Sequence, residues 1–191
     1  MAKKEQNYEE FAQLEEFATQ EDITRVKSEL LVCPELNTAV SGTIIELSKN
    51  HAKSVLITAP DMIVDDQGLV FDGYIFAAAN YVAQAAINKE YSVLIGSRCF
   101  FYAPLKLGDV LELEAHALFD ETSKKRDVRV VGHVKEIKVF ESTLQIVVTD
   151  EHIFRLKRPP STTNAKSEEE AAETIAVNTG VMPNMPGAKV N

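Results

Sequence analysis

Asp72-Gly73-Tyr74-Ile75-Phe76-Ala77-Ala78-Ala79-Asn80-Tyr81-Val82-Ala83-Gln84-Ala85-Ala86-Ile87-Asn88 is the stretch on which the reading of this chain turns. Between Tyr74 and Ile87 every residue is apolar or small except Asn80 and Gln84, which leaves no face suited to water. A helix that is hydrophobic all round belongs in a membrane or in a protein core. A membrane span needs about 20 apolar residues, and this run is shorter and carries two amides. The stretch therefore predicts a buried central helix, with Asp72 placed to cap its first free N–H groups. Asn80 is the anomaly, because a buried amide without a partner costs about 1–3 kcal/mol.

The remaining composition narrows the function classes. At 191 residues and 45% hydrophobic content, the chain suits one globular domain with additions. Its formal net charge of −9 argues against nucleic acid as a partner, since phosphate backbones require clustered Lys and Arg. The start has no apolar export segment, and two cysteines, Cys33 and Cys99, read as reduced thiols. A cytoplasmic protein without a membrane span is expected. The four histidines (His51, His116, His133 and His152) lie far apart with no ligand-like spacing, so no metal site is expected.

Taken in order, Tyr8, Phe11, Leu14 and Phe17 mark one helical stripe, and Thr19-x-x-Asp22 with Ile23, Val26 and Leu30 marks a second. Eight acidic residues face four basic ones up to Val32, the reverse of a DNA-reading helix pair. Residues 1–33 are read as an acidic helical extension, packing on the domain or its partner subunit, or docking another protein. Two strands, Thr43 to Leu47 and Ser54 to Ala59, form a hairpin through Asn50. After the central helix come four β-rich segments, Val93 to Tyr102, Val110 to Phe119, Val128 to Phe140 and Thr143 to Phe154, with a turn at Glu141-Ser142. Leu111, Leu113 and Ala115 alternate with Glu112, Glu114 and His116, the period-2 signature of a half-buried strand. Residues 34–158 form the domain, and residues 159–191, rich in Glu, Pro and small residues, are expected to be a mobile tail.

A wholly apolar helix, long antiparallel strands and the turn Pro104-Leu105-Lys106-Leu107-Gly108-Asp109 together resemble the hot-dog fold. That is an α+β architecture in which a curved antiparallel sheet wraps around one long helix. Many hot-dog thioesterases carry His-Gly-Gly-x-x-Phe-x-x-x-Asp entering that helix. The same register here runs Phe71, Asp72, Gly73, Tyr74, Ile75, Phe76, Ala77, Ala78, Ala79, Asn80. Gly73 and Phe76 match, whereas Phe71 replaces the histidine, Asp72 the first glycine and Asn80 the catalytic carboxylate. The helix also resembles that of the malonyl-CoA-sensing repressor branch, which has an asparagine at this position. That branch carries an upstream arginine, and this chain has none between Arg25 and Arg98. Flagellar-regulon hot-dog proteins are the nearest resemblance.

The resemblance implies an acyl-CoA-binding homodimer with a regulatory role, its tunnel lying between two subunits. Phe71, Gly73, Phe76, Asn80 and Tyr81 are the candidate ligand-binding residues, with the aromatics either lining the acyl path or packing as plain core. Lys124, Lys125, Arg126, Arg129, Arg155, Lys157 and Arg158 are candidates for the CoA phosphates, the alternative being a solvated turn and strand end. Acyl-CoA is expected as ligand, with no cofactor. Two other readings stand beside this one. The first is a thioesterase whose carboxylate has moved to Asp65, Asp66 or Asp72, with Asn80 assisting. The second is an interaction module that has lost its ligand, in which Asn80 bonds a buried backbone group or water.

Overall fold

Among the described elements, Thr19 starts helix α1 (Gln20–Glu29) by the predicted device: its Oγ1 accepts from the Asp22 backbone N–H at 3.1 Å and donates to the Asp22 carboxylate at 2.7 Å. The computed structural model describes residues 14–118 and 123–156, so the Tyr8–Phe17 stripe lies largely outside the described residues. From α1 the chain runs through one short turn of helix, α2 (Thr38–Ser41), capped by the Asn37 side chain, into β1 (Thr43–Ser48) and β2 (His51–Ile57). A 3₁₀ turn, Pro60–Met62, and a loop lead to the central helix α3 (Asp72–Ile87). Then follow β3 (Ser92–Phe101), β4 (Val110–Ala117), β5 (Lys125–Val134) and β6 (Ile137–Val148).

Among the described residues these strands form one antiparallel sheet in the order β1-β2-β4-β5-β6-β3. The helix lies chiefly over β4 and β2, touches β5, β6 and β1 less, and scarcely meets β3. Its buried residues include Ala78, Ala79, Ala83, Ala85 and Ala86, whose methyl groups allow close approach to Leu56, Leu111, Leu113 and Val130 on the sheet. Alanine is also the best intrinsic helix former, so the same residues serve local and tertiary structure.

The two edges of the sheet differ. β1 is covered by α1, and Val26 and Val32 are buried in the same core as α3. The boundary expected at residue 33 therefore does not divide the described structure: one compact unit extends to Arg155, and of the remainder only Leu156 is described. β3, at the other edge, leaves apolar side chains in solvent, with Ile95 53%, Phe100 51% and Phe101 44% exposed.

Four local expectations are corrected. The first hairpin turn is tighter, with Lys49 and Asn50 alone between Ser48 and His51; Asn50 takes φ 59°, and His51 is a strand residue. The last hairpin turns at Lys135-Glu136, not Glu141-Ser142, with Lys135 at φ 54°. Glu141 and Ser142 sit inside β6, which ends at Val148 rather than reaching Phe154. Lys125 and Arg126 belong to β5 rather than to the preceding turn. Finally, Asp72 is the first helical residue and not the cap. Phe71 occupies the capping position because its N–H already donates to Met62 C=O, and no side chain caps the helix.

At the other end Asn88 takes the left-handed conformation at φ 47° and its N–H donates to Gln84 C=O. Its side chain joins α3 to the N-terminal segment, accepting from Leu31 N–H at 2.8 Å and donating to Glu29 C=O at 3.0 Å. Replacing Asn88 by Ala removes both bonds and the left-handed tolerance, and is expected to cost about 1–3 kcal/mol. Gly132 tests the packing independently, because a Cβ there would meet Leu113 at 2.9 Å and Phe140 at 3.1 Å. Gly132→Ala is expected to cost about 1–3 kcal/mol through overpacking. Both are read from urea midpoints at unchanged m-value.

Candidate functional site

The helix that was expected to be wholly buried has, in one chain, a half-exposed stripe. Gly73, Phe76, Ala77, Asn80 and Gln84 are partly accessible, whereas Ile75, Ala78, Ala79, Val82 and Ala83 are buried. The stripe follows the i, i+3, i+4, i+7 spacing of one helix face. It contains both amides of the helix. Asn80 Oδ1 accepts from Gln84 Nε2 at 3.4 Å, a long bond, and Gln84 Oε1 accepts from Ser92 Oγ at 3.0 Å. Asn80 is thus neither deeply buried nor firmly bound, and it keeps hydrogen-bonding capacity to spare.

The helix start is built by two segments that the sequence places far apart. In the loop before it, Ile63 bridges to Val70 and Leu69 bridges to Lys106. Val70 N–H donates to Leu105 C=O, and Leu107 N–H donates to Gly68 C=O. The Pro104–Asp109 turn is itself closed by Lys106 N–H donating to Asp109 Oδ2 at 2.7 Å and by Gly108 at φ 90°. Thr58 Oγ1 then lies at 3.0 Å from Lys106 C=O and 2.9 Å from Asp109 C=O. These bonds fix the loop, and the loop fixes where α3 begins. Asp65 is consumed in this work, accepting from Gln67 and Leu69 N–H groups, and Asp66 accepts from the Gln67 side chain. Among the described residues no partner engages the Asp72 side chain, which stands exposed in the first helical turn.

Gly73 and Phe71 face each other at that helix start. The Phe71 ring is 57% exposed, stands edge-on to Tyr74 and occupies with its Cε1 the space a Cβ on Gly73 would need. Phe76 is partly buried against the core. Tyr81 lies about 100° around the helix from Asn80 and is buried, 5% exposed, with its phenol pushed up to about 12 by burial and the neighbouring Cys33. The structure therefore gathers Phe71, Gly73, Phe76 and Asn80 along one side and sets Tyr81 in the core.

The cationic candidates are dispersed. Lys124 pairs with Asp150, and Arg129 holds Glu141 with Nη2 at 2.8 Å and Nε at 3.0 Å. Lys138 binds the same carboxylate, and the two cations, Lys138 foremost, hold Glu141 at about 2. Arg126 is buried, 3% exposed, and donates from Nε to Ser123 C=O. Lys125 and Arg155 are exposed, and residues 157 and 158 lie outside the described residues. Two inward-facing polar groups were not anticipated: Ser142 Oγ and Ser54 Oγ are buried without a partner among the described residues. Serine within a strand gives no sequence signal of which face it takes until the register is known.

No protein-family model matches the chain. Among solved structures it superposes on Cj0977, a sigma28-regulated virulence protein from Campylobacter jejuni, with TM-score 0.73 and 76% identity, covering 73% of this chain and 99% of that one. The uncharacterized protein PH1136 from Pyrococcus horikoshii follows at TM-score 0.64 and 29% identity, over 66% and 96% of the two chains. The protein smu.793 from Streptococcus mutans, solved bound to acetyl CoA, shares the fold at TM-score 0.55 and 18% identity, over 63% and 98%. Among curated proteins, transcription factor FapR from Staphylococcus haemolyticus is 27% identical over 113 residues, 59% of this chain and 60% of that protein. Methylthioribose-1-phosphate isomerase from Aquifex aeolicus is 37% identical over 106 residues, 56% of this chain but 23% of the isomerase. The chain thus spans less than two thirds of either curated relative.

Gly73→Ala separates site from scaffold. The group in the way is the far end of an exposed side chain, so Phe71 swings aside and the helix gains up to about 1 kcal/mol from alanine. The expected outcome is an unchanged or slightly raised melting temperature together with loss of any ligand-induced shift.

Proposed function

The chain belongs to the hot-dog fold proteins, in the family of the Campylobacter virulence protein, and from that premise we propose that it is a regulatory homodimer that binds an acyl-CoA thioester without hydrolysing it. One observation carries the reading: a half-exposed stripe pairs an uncapped helix start at Gly73 with an amide, Asn80, where a hydrolase would hold a carboxylate. The free N–H groups of a helix start carry partial positive charge and suit a thioester carbonyl. Asn80 adds a donor or acceptor beside it but takes no proton at neutral pH. Lacking a positioned general base removes about 10²–10⁴-fold in rate. The acetyl CoA bound to the streptococcal relative and the likeness to FapR support thioester recognition by this fold.

The stripe reaches β3 where Gln84 Oε1 accepts from Ser92 Oγ, and the open β3 edge carries unpaired backbone groups and exposed apolar side chains that suit a second copy. Dimerisation there would cover Phe76, Asn80 and the ligand together. Phe71, exposed at the helix start, would stand at the mouth of that space.

A specific observation favours a second reading, residual hydrolysis. Asp72 remains unengaged while Asp65 and Asp66 hold the loop. A relocated base would be Asp72.

Thermal melting with a panel of CoA thioesters tests the proposal. At 100 times its dissociation constant a ligand stabilises by about 2.7 kcal/mol, a rise of roughly 5–10 °C for a chain of this size. Ile95→Lys on the edge strand is expected to yield monomers by light scattering and to abolish the rise. No shift with any thioester, short or long, overturns binding. Thiol release should stay at background; turnover that Asp72→Asn abolishes would replace the proposal with the hydrolase.

A further inference from the structure

The outer face of the sheet carries a second constellation, far from the stripe in chemistry and made by a different set of strands. On β4, Glu114 and His116 are two residues apart and share the face opposite Leu113 and Ala115. Antiparallel pairing sets His51 of β2 directly opposite His116, and Lys53 opposite Glu114. Opposed side chains in such a ladder start about 5 Å apart, and here they converge. His51 Nε2 is 2.9 Å and His116 Nε2 is 3.4 Å from one oxygen, Glu114 Oε1, and the imidazole centroids are 4.6 Å apart. One ligand atom from each of the three lies within 4.8 Å of the others.

Two imidazoles and a carboxylate are the donor set of open zinc sites, in which ligand atoms about 3.3 Å apart surround a metal at about 2.0–2.1 Å. The two separations to Glu114 Oε1, 2.9 and 3.4 Å, are close to that edge length, and the set as a whole lies within 4.8 Å, so the imidazoles must rotate toward each other to admit an ion. The outer shell supplies the independent observation. The other nitrogen of His51, Nδ1, lies 3.4 Å from Glu46 Oε1 on β1 and 3.4 Å from Ser48 Oγ. A carboxylate behind a ligating imidazole fixes its tautomer and leaves the opposite nitrogen free for metal. The three side chains also offer a graded approach, with His51 15% exposed at the base and Glu114 and His116 about half exposed at the rim.

We propose that His51, Glu114 and His116 form a Zn²⁺ site bridging β2 and β4, with Glu46 orienting His51 and one coordination position open to water. Nitrogen-rich borderline ligands favour Zn²⁺ and its late first-row neighbours over Mg²⁺ or Ca²⁺. Lys53 is the resident competitor. Its ammonium is 3.3 Å from Glu46 and 3.9 Å from Glu114, and it keeps the cluster charge-compensated without metal.

The test is calorimetric titration of ZnCl₂ into the chelator-stripped full chain at pH 7.5, in a Cys33→Ser, Cys99→Ser background that removes thiol ligands. One Zn²⁺ per chain is expected at the site, weakened at least tenfold by His51→Ala, by His116→Ala and by Glu114→Gln. Lys53→Met is expected to tighten binding severalfold, and His133→Ala, on the same sheet face but outside the cluster, to leave it unchanged. Circular dichroism confirms that each variant is folded. Absence of saturable binding in the parent, or binding that survives both histidine substitutions as an adventitious ion only, overturns the proposal.

Discussion

The close approach of an alanine-faced helix to a twisted sheet is the constraint from which the rest of this structure follows. Larger residues at Ala78, Ala79, Ala83, Ala85 or Ala86 would hold α3 away from Leu111, Leu113 and Val130, and the interior is too densely packed to absorb the difference. Methyl-sized contacts also bury little area per residue, so this helix contributes less by its own burial than by allowing the sheet to close over it. That closure carries Phe140, Leu144 and Ile146 into the same core. It leaves the stripe from Gly73 to Gln84 on the side the sheet does not reach.

Placement of α3 along its axis depends on polar bonds as well as on packing. The buried Ile75, Tyr81, Val82 and Ile87 resist sliding by one turn, whereas the alanines alone would not. Both ends are also pinned from outside: the start by the loop bonded to the Pro104–Asp109 turn, and the end by Asn88 bonded to Glu29 and Leu31. The position of Gly73 and Asn80, on which the proposed binding rests, is set by hydrogen bonds at the two helix ends, at Phe71 two residues before Gly73 and at Asn88 eight residues after Asn80.

The fold was legible in the sequence where one physical signal dominated. The apolar run announced α3, and the Leu111-Glu112-Leu113-Glu114-Ala115-His116 alternation announced β4 and its buried face. The mis-set turn at Lys135-Glu136 has an equally physical cause. Two charged residues without Gly, Asn or Pro carry no turn signal, and a Lys at φ 54° is tolerated only because the flanking ladder demands it. The Asp72 side chain suits a cap, but the chain enters the helix a residue earlier, at Phe71, whose N–H donates to Met62 C=O. The His51–His116 pair was invisible for a topological reason: its strands pair across an intervening helix and a strand that ends at the opposite edge. Which histidines meet is a property of strand order, and strand order was not in the residues taken one at a time.

The unequal edges of the sheet bear on how far this chain can assemble. α1 shields β1, while β3 presents an open ladder with apolar side chains beside it. An edge that meets its own copy antiparallel does so about a twofold axis, and in the proposed dimer each copy would spend its β3 edge in that union. In the proposed dimer growth would stop at two, because α1 packs against the other edge strand, β1. Stripping α1 from β1 would give each copy two adhesive ends, and the same ladder that closes a pair would propagate an unbounded ribbon.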